Sequence, residues 1–130
     1  TMLEFYDAME QVLHELSMHE AVHQMRAQIY KMRKPLNEFT SQLEQHGFNV
    51  ANVRHNSFAY KFADGTALLN HYFMRLGFMD GWKSVLPEAD QPLVFERIEA
   101  LLNAQAENVG HVQLTVPFVV IDCERVTFPA

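Results

Sequence analysis

The chain has a single cysteine, Cys123, among 130 residues, so no internal disulfide can form. That usage fits a reducing compartment, and a cytoplasmic location is expected. Cys123 falls inside an apolar run and is expected to be a small buried hydrophobe. Glycine is also sparse: five residues, at 47, 65, 77, 81 and 110, and no Gly-x-Gly anywhere. Without clustered glycine a backbone cannot turn tightly enough to approach a nucleotide phosphate. Long apolar runs are missing, and nothing approaches the stretch of about 20 residues that crosses a bilayer. Residues 1–16 carry four acidic groups and no Lys or Arg, so no signal peptide is expected there. A basic stripe is missing too. The formal net charge is −6, and the densest basic stretch is Lys31, Arg33 and Lys34. These cations stand just before Pro35, where they offset the C-terminal end of a helix. Neither nucleic acid nor a membrane is expected as a partner.

What is present is core material. Apolar residues make up 48% and charged residues 20%, with ten Phe, seven Met and one Trp. This composition supports one packed domain. The methionines read first as core filling, and second as adaptable packing around a pocket or interface.

Hydrophobic spacing divides the chain into elements. Residues 2–16 read as an amphipathic helix with Leu3, Tyr6, Met9, Leu13 and Leu16 on one face. Thr1 with Glu4 has capping-box spacing, and Ser17-Met18-His19-Glu20 repeats it at the start of a second helix. The stripe of that helix is Met18, Val22, Met25, Ile29 and Met32. Pro35 opens a third helix with Leu36, Phe39 and Leu43 as its apolar face, and Gly47 can close it in the left-handed conformation. Residues 49–62 alternate as a strand, with a bulge expected near Arg54–Ser57. Asp64-Gly65 makes a turn, and Asp64 or Thr66 caps a helix over 67–77. Gly77 and Gly81 bracket a tight connection into Trp82, Pro87 and Pro92 flank a loop, and a long helix runs to about Ala106. Residues 111–126 read as a final strand, apolar on both faces near Val119 and Ile121 and therefore interior. Pro117 marks an expected bulge or bend in it. Two strands alone make a poor sheet, so the chain reads as the end of something larger.

The segment from Lys34 to Val126 resembles part of a known family. Lys34-Pro35-Leu36-Asn37-Glu38-Phe39, with Leu43 to Val50 behind it, is similar to the place in Rossmann-like S-adenosylmethionine-dependent methyltransferases where a helix ends in Gly-Phe and enters the sixth strand. Phe62-Ala63-Asp64-Gly65-Thr66, followed by Gly77-Phe78, Gly81-Trp82-Lys83 and Pro87, resembles an insert in one bacterial subgroup. Leu114-Thr115-Val116-Pro117 resembles the final strand. Residues 1–33 resemble the helical insertion that covers the substrate site there.

The resemblance implies an α+β fragment of an α/β fold. Residues 1–33 would form a helical arm or lid, and 34–130 one unit of helix, strand, helical insert, helix and strand, with the two strands antiparallel. It implies a parent that transfers a methyl group from S-adenosylmethionine to a small-molecule acceptor. The family's glycine-rich turn after the first strand is absent, so no cofactor-binding residue carries over. The chain alone is expected to be inactive and to bind no cofactor. The competing reading is a stand-alone small-ligand-binding or dimerisation module.

Asn70, His71, Tyr72 and Trp82 are the candidate substrate-pocket residues: a pocket needs aromatic walls and a few polar groups, and His71 could act as a base or donor. An exposed His71 and a core Trp82 are the plain alternative. His19-Glu20-Ala21-Val22-His23 matches the zinc-protease spacing and makes His19 and His23 weak metal candidates. Glu20 is explained equally by a capping box, and no downstream third histidine follows, so no catalytic metal is expected. Asp122 and Glu124 alternate around Cys123 and read as a strand's solvent face. The family's fifth strand would lie beside residues 111–126. Its absence leaves an edge, so a homodimer is expected, by strand pairing at that edge or by exchange of residues 1–33.

Overall fold

The computed structural model describes residues 2–127. Helix α1 (Leu3–Glu15) buries Phe5, Tyr6, Ala8, Met9, Val12 and Leu13. The expected inner stripe is therefore rotated: Leu3 is 59% exposed, and Phe5 and Val12 take its line. The cause is that α1 is covered on several sides, by α2 (His19–Met32), by α7 (Gln91–Val109) and by β2 (Val112–Arg125). Phe5, Met9 and Leu13 have no exposed surface and form the middle of the core.

The α1–α2 junction corrects one expectation. Ser17 adopts a left-handed φ of 55°. Its N–H reaches the His14 carbonyl at 3.0 Å, and the Met18 N–H reaches the Leu13 carbonyl at 2.8 Å. This pair of bonds is a Schellman ending for α1, so Ser17 closes one helix instead of capping the next. Met18 precedes helix α2 and gives it no side-chain cap, and Glu20 accepts from Gln24 Nε2 at 2.9 Å. The other expected capping box involves Thr1, outside the described residues. Ala21, Val22 and Met25 face the core, but the stripe leaves it at the end, where Met32 is 72% exposed.

Pro35 stands immediately before α3 (Leu36–Gln45), and Gly47 follows with φ 88°. The chain then enters β1 (Phe48–Phe62). It pairs antiparallel with β2 from Phe48↔Arg125 to Phe62↔Val112, with the one register shift between Val50 and Asn52. The bulge is thus neither at Arg54–Ser57 nor at Pro117, which pairs in plain register with Ser57. The geometry at Thr115 explains this. Its N–H and carbonyl point out of the ribbon, toward Glu4 and Met2. Alternate residues of an antiparallel strand share that direction, so the donor that Pro117 lacks would have faced outward and no ladder bond is lost.

The ribbon has two unlike halves. Near the helices, Phe62, Val112 and Leu114 are buried. Farther out, Phe118, Val119 and Val120 are 40%, 38% and 41% exposed. The interior strand expected from apolar residues on both faces is therefore not observed here. Helix α3 covers only one face of the outer half, leaving Val53 and Ile121 half-buried. Cys123 is exposed, contrary to the buried reading.

The insert is more broken than its spacing predicts. One helix over 67–77 is in fact α4 (Gly65–Asn70) and α5 (Tyr72–Gly77), and the expected loop into Trp82 is α6 (Met79–Ser84). Asp64 caps α4, its Oδ1 accepting from the Ala67 N–H at 2.7 Å. Extended backbone at His71 interrupts the run, and its Nδ1 accepts from the Phe73 N–H at 3.2 Å as the cap of α5. A 3-10 turn (Glu88–Asp90) leads into α7, with Pro92 in its first turn and Gly110 at φ 94° behind it. Gly65 lets α4 lie directly on α7: a Cβ there would stand 2.6 Å from Leu102 Cβ. The chain is thus α+β, with a helical N-terminal region, helical pieces between two strands, and an antiparallel strand pair.

Candidate functional site

Three elements converge on the Tyr6 hydroxyl. Helix α1 carries Tyr6, Arg33 is the first residue after α2, and α6 carries Trp82. The Trp82 Nε1–H donates to Tyr6 Oη at 3.3 Å, and Arg33 Nη1 donates to the same oxygen at 3.1 Å. The Arg33 guanidinium also lies 5.4 Å from the Tyr6 ring centroid, a cation–π distance. Trp82 is held by stacking on Phe5, centroids 3.7 Å apart, and on Phe78 at 5.8 Å. Gln28 ties α2 to α6, its Nε2 donating to the Gly81 carbonyl at 2.8 Å and to Ser84 Oγ at 3.0 Å.

These groups frame a cleft of about 120 Å³ between the helical arm and the insert, lined by Tyr6, Gln28, Met32, Arg33, Phe78 and Trp82 with the backbones of Gly77 and Gly81. A phenol oxygen has two acceptor positions and one proton. Trp82 and Arg33 fill both acceptor positions, and no described residue accepts the Tyr6 proton. Tyr6 is only 6% exposed, so its donor belongs to a buried polar group that faces the cleft.

No family model, curated protein or solved structure matches the chain.

Of the four pocket candidates, Trp82 lines this cleft, and it is also core, 2% exposed. Asn70 and Tyr72 line a separate open hollow with Arg75 and Leu76. Asn70 Nδ2 is used on the Thr66 carbonyl at 2.9 Å, and Tyr72 is 78% exposed. His71 lies between the two as a helix cap and edge-on to Phe62, centroids 5.5 Å apart. While Nδ1 accepts from Phe73, the ring proton sits on Nε2, so neither nitrogen offers a free lone pair for a base. The four residues are therefore not brought into one site.

His19 and His23 are exposed on α2. Among the described residues, no group of three or more His, Cys, Asp and Glu is placed to hold a metal ion. Asp122 is exposed and accepts from Arg54 Nη2 across the ribbon at 3.3 Å. Glu124 is exposed beside it. No helix among the described residues is long and apolar enough to cross a membrane.

A hollow of about 580 Å³ lies between α3 and the outer ribbon. Leu36 and Phe39 roof it, Val119 and Ile121 floor it, and Lys34 and His55 stand in its lining. Hydrophobic spacing does not mark His55, and Tyr6 and Arg33 stand in it only as a stripe residue and a helix-end charge. Their partners lie 27 and 76 positions away along the chain, a separation that spacing does not reveal.

Proposed function

We propose that the chain is the C-terminal, substrate-side segment of an S-adenosylmethionine-dependent methyltransferase that acts on a small acceptor. The observation that carries this reading is topological. A helix ending in Gly47-Phe48, a strand, three insert helices, a long helix and an antiparallel return strand occur in the order that the sequence resemblance implies. The Phe62-Ala63-Asp64-Gly65 motif has a structural job in that order: Phe62 is core, Asp64 caps α4, and Gly65 packs on Leu102.

The residues present do not fit the cofactor. Gly47 and Gly110 end helices in left-handed conformations, and Gly65 is a packing contact. Gly65 opens the helix that follows β1, but it is a lone glycine pressed on α7, so no glycine-rich turn is there to cradle a nucleotide. In this reading the chain contributes the acceptor side only: the cleft beneath the arm holds and orients the acceptor, and the packed Phe5–Trp82–Phe78 stack keeps water from its inner wall. Calorimetry tests it. The 130-residue chain should not bind S-adenosylmethionine, and the complete product of its gene should bind it in the micromolar range. A complete product that does not bind S-adenosylmethionine removes the reading, and binding by the 130-residue chain alone removes its division of labour.

The second reading is a dimerisation module. It is supported by the outer edge of β2 from Pro117 to Cys123, where outward backbone groups lack the covering that Met2 and Glu4 give Thr115.

A further inference from the structure

We propose that the cleft at Tyr6 and Arg33 binds the carboxylate end of a small organic acid. The proposal deepens the methyltransferase reading by naming the acceptor's class, and it rests on that reading only for the ligand's role as acceptor.

The chemistry of the lining selects the ligand. The Tyr6 O–H and the Arg33 guanidinium are donors with capacity left, and they meet at one oxygen. Both Gln28 Nε2 protons are already spent, on the Gly81 carbonyl and Ser84 Oγ. The Gly81 carbonyl takes both Gln28 Nε2 and Ser84 Oγ, at 2.8 and 2.7 Å. A ligand group that meets the Tyr6 and Arg33 donors must accept, and oxygen does so best when it carries charge.

One guanidinium and no carboxylate stand in the lining. A monoanion is balanced by that single cation. A dianionic phosphate would bring a second charge against Met32, Phe78 and Trp82 with nothing to offset it, and burying an unpaired charge is costly. A volume of about 120 Å³ corresponds to about four waters' share of liquid, which suits a carboxylate with a short alkyl chain. The apolar walls receive that chain. Arg33 also belongs to the densest basic stretch of an otherwise acidic chain, with Lys31 and Lys34 beside it. These cations add attraction for an anion at this end of α2.

Trp82 is the chain's one tryptophan, so its indole N–H, bonded to Tyr6 Oη, is a unique NMR reporter. Butanoate titrated into the 130-residue chain should shift that resonance saturably in the millimolar range. Butan-1-ol and inorganic phosphate should bind at least about tenfold more weakly, a difference of about 1.4 kcal/mol. Arg33→Met, which keeps the apolar stem, should weaken butanoate by at least about tenfold and keep a cooperative urea transition at a lowered midpoint, because the bond to Tyr6 Oη is lost. Tyr6→Phe should weaken it too, and Arg33→Met remains decisive if Tyr6→Phe fails to fold.

A shift that never saturates, equal binding of butan-1-ol or phosphate, or an Arg33→Met variant that binds like the parent would overturn the proposal. Carboxylate binding by a protein whose complete form ignores S-adenosylmethionine would refute the methyltransferase reading alone. The reverse result would refute this site alone.

Discussion

Glu4 and Thr115 join the first turn of α1 to the outer edge of β2. The Glu4 carboxylate accepts the Thr115 backbone N–H at 3.0 Å and also its hydroxyl. Beside it, the Met2 N–H donates to the Thr115 carbonyl at 2.8 Å. Together the two residues do what a neighbouring strand would do at that position, satisfying both outward groups of an edge residue. The carboxylate also sits in the first helical turn, where negative charge is favourable.

Burial works to raise the Glu4 pKa, but the bonds from the Thr115 hydroxyl and N–H outweigh it and hold the carboxyl below its ordinary value. A folded pKa below the unfolded one adds stability that is fully present above the ordinary glutamate range. That stability is lost as pH falls through the folded value. Glu4→Gln should lower stability by about 1 kcal/mol at neutral pH, less than a buried charged hydrogen bond because Glu4 is only partly buried. Urea midpoints of parent and variant should converge as pH is lowered to about 3, below the usual carboxylate range. A gap that stays constant with pH would show that the charge is not what Thr115 reads.

Gly65 should tolerate no side chain. In Gly65→Ala the new Cβ meets Leu102 Cβ at 2.6 Å, with Asn103 Oδ1 and the Glu99 carbonyl each at 3.1 Å. A Cβ cannot rotate away, so α4 must lift from α7, at a cost of about 1–3 kcal/mol. Gly77→Ala is the matched control, because nothing stands within 4 Å of its added Cβ and its φ is not left-handed. It should be neutral, or more stable by up to about 1 kcal/mol. Urea denaturation of the two variants should separate them. Equal effects would mean that α4 is not seated on α7 as observed.

Asp64 carries the same motif and should behave as a cap. Asp64→Ala removes the acceptor of the Ala67 N–H and should cost about 1 kcal/mol. Asp64→Asn keeps a side-chain oxygen there and should stay within about 0.5 kcal/mol of the parent. Thermal melts of the two variants decide this. An Asn variant as damaged as the Ala variant would point to a need for the carboxylate charge itself.

These cases show what a sequence makes legible. Helices α1, α2 and α7 and both strands follow from periodicity because one face of each meets the core, and α3 because its apolar face lies on the outer ribbon. Short elements set by competing local bonds do not. Ser17-Met18-His19-Glu20 fits a capping box, yet Ser17 is taken by the Schellman bonds of the helix before it. The helix over 67–77 breaks because the His71 side chain caps a new one, and no hydrophobic spacing records that choice. Val119 and Ile121 look interior because residue type reports apolarity, and apolarity does not say whether a covering layer is present. Trp82 could be named from composition. The Tyr6–Arg33–Trp82 junction could not, since it is assembled by tertiary packing of three separate elements.

The open edge of β2 makes the last prediction, which concerns the 130-residue chain by itself. Parity with Thr115 puts the outward groups at Pro117, Val119, Ile121 and Cys123. Met2 and Glu4 close the edge at Thr115, so pairing can extend only from Pro117 outward. That segment matches itself in antiparallel register about Val120. Val119 then pairs with Ile121 of the second copy through both backbone bonds, and the carbonyl of Pro117 accepts from Cys123 of the second copy. Val120 meets Val120 across the two-fold, and Asp122 faces Phe118. A register placing Asp122 against Asp122 would set like charges face to face and is disfavoured. The chain should therefore be a dimer at tens of micromolar, burying more than about 1,000 Å² in total. Val119→Pro deletes one outward donor and leaves the β1 ladder intact, as Pro117 already does, so it should yield a folded monomer with an unchanged far-ultraviolet spectrum. Sedimentation of the two proteins reads the result. A parent chain that sediments as a monomer would sink the idea. A dimer that survives Val119→Pro would transfer the contact to exchange of residues 1–33, against the placement of Phe5, Met9 and Leu13 in their own core.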